Sequence, residues 1–132
     1  MVSVSSNAQS ATAGARKLLE ENPQINLLVG FNEWSTLGVG MAIKELGLKD
    51  RVCAIGFDNN TECVGMLETG ELDTLIVQNP FSMGYLAVMN AANILSGKKT
   101  ESVIKTDVYV VDRSNMFSAD VQKILFGFDK YD

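Results

Sequence analysis

Histidine is absent from all 132 residues. This removes Ser-His-Asp and Cys-His nucleophilic schemes, the commonest metal ligand and the usual general base, and leaves only carboxylate chemistry for an enzyme. Cysteine occurs twice, at Cys53 and Cys63, with no Cys-x-x-Cys spacing, so redox or zinc chemistry of that kind has no support. Cys53 lies in an apolar run and Cys63 in a helical pattern, and both are expected to be buried free thiols. Basic charge is scarce: 11 Lys and Arg against 16 Asp and Glu give a net charge of -5, and the longest basic run is Lys98-Lys99. Nucleic acid and anionic membrane are therefore excluded as partners, because both need a clustered positive surface. No stretch of about 18 uncharged apolar residues exists, so no helical membrane span is read. Val-Ser-Val-Ser-Ser after Met1 lacks both a basic segment and an apolar core. No signal peptide is read there, and the chain is expected to be cytosolic, a mature form or a fragment. An Asp-x-Asp-x-Asp loop, a Gly-x-Gly-x-x-Gly turn after a strand and a phosphate-binding loop are all missing. These absences give no support to a metal or a cofactor, and carboxylate-only chemistry stays open.

What is present is apolar and regularly interrupted. Apolar residues make up 46% of the chain, enough for the core of a single domain. A short extended start is read over Val2–Ser6. Ala11, Ala15, Leu18 and Leu19 recur at helical spacing and predict a helix over about Ser10–Glu21, stopped by Asn22-Pro23. Ile25–Phe31 is apolar almost without alternation, as a strand covered on both faces of a parallel sheet should be. Ser35 or Thr36 is expected to start the next helix, with Gly47 at its end. The rhythm repeats with a strand at Arg51–Phe57, a helix at Thr61–Glu68, a strand at Leu72–Val77, and a helix opened by Pro80 and closed by Gly97. A last strand at Asp107–Val111 and a short amphipathic tail helix at Ser118–Phe126 complete the chain. Strands alternating with helices of about 10–16 residues predict an α/β fold with a parallel sheet flanked by helices.

In open α/β sheets ligands bind beyond the carboxyl ends of the strands. Those ends carry Asn32, Asp58 and Gln78, with Phe31, Trp34 and Phe57 beside them. A carboxylate accepts from two neighbouring hydroxyls, an amide both donates and accepts, and an aromatic face covers the C–H side of a sugar ring. Local roles account for the same residues: Asp58 and Asn60 as helix N-caps, Asn32 in a turn, Gln78 in a loop, Phe31 and Trp34 as packing.

Four segments, in this order, carry a family resemblance. Val29-Gly-Phe-Asn-Glu-Trp-Ser-Thr-Leu-Gly38, Ala54-Ile-Gly-Phe-Asp58, Leu75-Ile-Val-Gln-Asn-Pro-Phe-Ser-Met-Gly-Tyr85 and the stretch from Val108 to Met116 resemble the type I periplasmic sugar-binding protein superfamily, of the ribose-binding kind. The resemblance runs over roughly residues 2–116. It implies the C-terminal lobe, in part, of a two-lobed α/β receptor that closes on a monosaccharide and serves an ABC-type uptake permease. Residues 79–97 would then form a hinge-crossing helix and residues 118–132 a tail. On the family's pattern Asn32, Asp58 and Gln78 fall at ligand-binding positions, with Trp34 and Phe31 nearby, and Glu33 stands where Asp is usual. Localisation would be periplasmic or extracytoplasmic. The first lobe is expected to be missing, so apolar surface should be exposed, the chain alone should bind sugar poorly, and a homodimer is expected. The alternative within the superfamily is the effector-binding domain of a lactose-repressor-type regulator. A phospho-acceptor receiver domain lacks its acidic pair and its Lys-Pro here, and a flavodoxin-like nucleotide binder lacks its loops; Gly38 and Gly40 are read as close helix packing.

Overall fold

The computed structural model describes residues 1–126. The chain divides into two compact units, one made of Met1–Val77 with the chain from Val110 onward, the other of Gln78–Tyr109.

The first unit contains helix α1 (Ala8–Glu21), strand β1 (Leu27–Val29), helix α2 (Glu33–Leu46), strand β2 (Cys53–Phe57), helix α3 (Thr61–Thr69), most of strand β3 (Thr74–Gln78), most of strand β4 (Val108–Asp112) and helix α5 (Ala119–Phe126). The strands form one sheet in the order β1-β2-β3-β4. β1 runs parallel to β2, and β2 parallel to β3, with Leu28 opposite Ala54 and Gly56 opposite Leu75. Strands read as alternating with helices therefore do build the flanked parallel sheet.

Layering follows from small residues at the contacts. A Cβ placed on Gly38 would come within 2.3 Å of the Ala11 Cβ, so α1 and α2 touch almost backbone to backbone there. Gly38 thus serves close helix packing, as its sequence context suggests. A Cβ on Gly30 would meet the Thr36 backbone at 2.5 Å, and one on Gly56 the Thr36 side chain at 2.1 Å. Only glycine lets α2 lie so close to the ends of β1 and β2. The core of the unit is Ile43, Leu67, Leu72, Leu75, Met116, Val52 and Val77, all fully buried.

Two expectations about burial fail. β1 and β2 are not covered on both faces. Ala54, Gly56, Leu75 and Val77 point to a buried face, but Val29, Ile55 and Ile76 on the other are half-buried, and Leu27 and Cys53 are exposed. β1 also pairs only with β2, so it is an edge strand. An apolar run shows that a strand could be covered twice; the second layer of helices has to be there as well. Cys53 is consequently an exposed thiol, while Cys63 is buried as expected. Val2–Ser6 forms no strand, since no neighbouring strand pairs with it.

The second unit is dominated by helix α4 (Pro80–Leu95). Pro80 occupies its first turn, where a missing N–H costs nothing, and the Asn79 side chain accepts from the Ser82 N–H at 2.9 Å. No residue of α4 is buried, and Tyr85, Val88, Ile94 and Leu95 are among its exposed apolar side chains. Gly97 follows with φ +71°. No helix among the described residues is long and apolar enough to cross a membrane.

Candidate functional site

Asn32 is the N-cap of α2, and the helix starts at Glu33 rather than at Ser35 or Thr36. The reason is a reciprocal cap. Asn32 Oδ1 accepts from the Ser35 N–H at 2.9 Å, while the Asn32 N–H donates to Ser35 Oγ at 3.0 Å. This commits Oδ1 of Asn32 and leaves its Nδ2 without a hydrogen bond among the described residues. Phe31, just before the cap, is 70% exposed, and Trp34, in the first turn of α2, is 43% exposed. Neither aromatic is consumed by the core.

Asp58 follows β2 with φ +71°, the only non-glycine residue in the left-handed region among those described. Asp and Asn tolerate that conformation better than most side chains, but it still needs support. Support comes from two sides. The Asp58 N–H donates to the Ile76 carbonyl at 3.0 Å, and Asp58 Oδ2 accepts from the Glu33 N–H at 3.1 Å. The carboxylate therefore sits against the positive end of α2. Asp58 is not the N-cap of its own following helix; Asn60 is, accepting from the Glu62 N–H at 2.8 Å. Asn60 Nδ2 also donates to Glu33 Oε1 at 2.8 Å. Asp58 Oδ1 makes no hydrogen bond among the described residues.

One supporting group escapes a reading of the sequence. Thr36 is fully buried, and its Oγ1 accepts from the Phe57 N–H at 2.8 Å while its hydroxyl faces the Phe57 carbonyl at 3.1 Å and the Gly30 carbonyl at 3.4 Å. One side chain thus ties the ends of β1 and β2. Phe31 and Phe57 meet with ring centroids 6.1 Å apart, tilted by 35°. Beneath the turn, the Cys63 thiol is pushed up to about 12 by burial and then by the charges of Glu33, Glu62 and Asp58, so it is a neutral packing group. The Asn32–Ser35 spacing and the N-cap position of Asn60 are the signals in the sequence for this network; the Thr36 and Glu33 contacts join residues that only the fold brings together.

The structure gathers Phe31, Asn32, Phe57 and Asp58 at the carboxyl ends of β1 and β2, with Trp34 one residue beyond Glu33. Gln78 is the exposed last residue of β3 and the first residue of the second unit. Among the described residues no cluster of His, Cys, Asp or Glu has the makings of a metal site.

The strand ends thus present an open carboxylate oxygen, an unused amide and exposed aromatics. The periplasmic binding protein domain model matches residues 2–99. The chain belongs to that family. The ribose import binding protein of Haemophilus influenzae is 31% identical over 94 residues, which is 71% of this chain and 32% of that protein. A carbohydrate transporter solute-binding protein from Agrobacterium radiobacter, solved with D-arabinose, superposes with a TM-score of 0.82 at 31% identity, over 90% of this chain and 40% of that one. An ABC transporter solute-binding protein from Agrobacterium vitis with bound D-fucose gives 0.82 at 30%, over 92% and 42%. The chain therefore spans about a third to two fifths of the length of these periplasmic binding proteins, and its fold is one partial lobe of theirs.

Proposed function

We propose that this chain binds a monosaccharide, without catalysis, as part of the receptor of an ABC-type uptake system outside the cytoplasm. The observation that carries the reading is Asp58, held in a left-handed turn with Oδ1 open, next to the uncommitted Nδ2 of Asn32. Oδ1 accepts from ring hydroxyls, Nδ2 donates to one, and Phe31 and Trp34 offer apolar faces to the C–H side of the ring. Gln78 joins the proposal on the likeness of its segment to the family and on its strand-end position. The names of the relatives, which bind ribose, arabinose and fucose, support a receptor over a regulator.

Residues 79–97 are taken as the hinge-crossing helix and 118–132 as a tail; residues 127–132 lie outside the described range. The partners are the permease, a first lobe and, for the chain alone, a second copy of itself. The exposed apolar side chains of α4 support a covering partner. Sedimentation over a wide concentration range checks the homodimer, and a monomeric mass throughout dismisses it.

The binding test is an amide-resolved titration with D-ribose, D-arabinose and D-fucose. One partial lobe supplies only some of the contacts and no closure. Four hydrogen bonds of about 1 kcal/mol each correspond to a Kd near about 1 mM. The Asn32 and Asp58 amides should shift with at least one sugar, and Asp58→Ala should remove the shift. Saturating amounts of all three that leave those amides unmoved would overturn the reading.

A further inference from the structure

Asn59 stands between Asp58 and Asn60, yet its side chain serves neither strand nor helix of its own neighbourhood. Its Nδ2 donates to the Leu125 carbonyl at 2.7 Å and to the Ile124 carbonyl at 3.2 Å. These carbonyls belong to α5. Asn59 thus ties its turn to a helix 65 residues away in sequence. That helix is itself anchored: Leu125 is 2% exposed, Gln122 Nε2 donates to the Met116 carbonyl at 2.6 Å, and Met116 is fully buried.

Residues 58, 59 and 60 therefore tie the turn to two helices. Asp58 takes the Glu33 N–H and Asn60 the Glu33 carboxylate, both at the start of α2, while Asn59 takes two carbonyls of α5. All of these contacts lie within the first unit. The Ile76 carbonyl and the Glu33 N–H hold Asp58 itself, but a loose following residue would still let the left-handed turn relax and its carboxylate swing with it. Two amide hydrogens on fixed carbonyls remove that freedom.

We propose that α5, acting through Asn59, is the positioning element of the Asp58 site: it holds the 58–60 turn in the geometry that presents Oδ1 to a ligand. Asn59 is a positioning residue and touches no sugar. The proposal rests on the sugar-binding reading for its effect on affinity, but the clamp itself is observable without any ligand.

The experiment uses Asn59→Ala and Asn59→Asp in the full 132-residue chain. Asn59→Asp replaces the donors by a carboxylate facing two carbonyl oxygens. Amide hydrogen exchange is followed at Glu33 and Asp58, with Ala54 of β2, whose N–H donates to Asp73 Oδ2 at 2.8 Å, as an internal reference. D-ribose, D-arabinose and D-fucose affinities and melting temperatures are measured in parallel. Both variants should speed exchange at Glu33 and Asp58 about tenfold relative to Ala54, and weaken sugar binding about three- to tenfold, the worth of a neutral hydrogen-bond pair. A merely structural role would lower the melting temperature and leave the Kd of the folded protein unchanged, which overturns the proposal. Unchanged exchange at Glu33 and Asp58 overturns it whether or not sugar binds. If exchange speeds up while the unsubstituted chain binds none of the sugars, the clamp stands and the sugar reading falls.

Discussion

The backbone N–H of Glu33 points at Oδ2 of Asp58, 3.1 Å away, so the carboxylate at the end of β2 caps the start of α2. Asp58 thereby has two separable tasks. It closes a left-handed turn and stabilises a helix, and it presents an oxygen outward. Glycine adopts a positive φ without strain, whereas alanine does not. Asp58→Ala and Asp58→Gly both lose the cap, but only alanine also strains the turn. Chemical unfolding should find Asp58→Gly more stable than Asp58→Ala by about 1 kcal/mol, a difference set by the left-handed turn. Both should fail to bind sugar. Equal stability of the two variants would contradict the turn geometry, and sugar binding by Asp58→Gly would remove the carboxylate from the site.

Asn32 divides in the same way between its two side-chain atoms. Oδ1 is committed to the Ser35 N–H, and Nδ2 is open. Serine caps helices about as well as asparagine but brings no amide donor. Asn32→Ser should leave the melting temperature near that of the parent while weakening sugar binding. Asn32→Ala should weaken sugar binding and also lose about 1 kcal/mol of stability. An Asn32→Ser chain that binds sugar as tightly as the parent would reduce Asn32 to a cap.

These residues also show where the sequence was legible and where it was not. Local chemistry read well: Ala11, Ala15 and Leu19 face inward on α1, Gly47 ends α2 with φ +63°, and Pro80 opens α4. Each depends on neighbours a few positions away. Strand burial read poorly at Leu27 and Cys53, because an apolar run does not say whether a second layer covers it. α2 starts two or three residues before the expected Ser35 or Thr36, because Asn32, read as a turn residue, forms a reciprocal cap with Ser35. The strand-end rule and the family pattern both pointed to Asn32 and Asp58. The contacts that hold them, Asp58 to Glu33 and Asn59 to Leu125, span 25 and 66 residues and exist only once the sheet has formed.

The two thiols should behave differently under one reagent. Cys53 is exposed, with its pKa raised by partial burial and then by the nearby Asp73 charge. Cys63 is inaccessible and its thiol is pushed up to about 12. The thiolate is the reactive form. At about pH 8 the native chain should react slowly at Cys53 alone, more slowly than free cysteine, and Cys63 should react only when the chain is unfolded. Cys53→Ser should abolish labelling of the native chain. Labelling that persists in Cys53→Ser would mean that Cys63 opens to solvent without global unfolding.

Glu71 gives the fold a dependence on pH that can be signed in advance. Burial raises its pKa, but the Thr69 hydroxyl, the Glu71 N–H and the charges of Lys44 and Lys49 together outweigh that and lower it below the ordinary 4.5. The Thr69 hydroxyl donates directly to Glu71 Oε2. A depressed carboxyl favours the folded state above its ordinary pKa, and that contribution disappears as pH falls through the lowered native value. Glu71→Gln keeps the shape and removes the charge. At neutral pH it should be less stable than the parent by about 1–2 kcal/mol, the scale of hydrogen bonds to a charged group. The gap should be constant above about pH 6 and close progressively below the ordinary carboxyl range, as the parent takes up the proton that glutamine never needs. Urea unfolding across that range measures it directly. A gap that stays constant into acid would mean that the ionised form of Glu71 gains nothing from Thr69 and the two lysines.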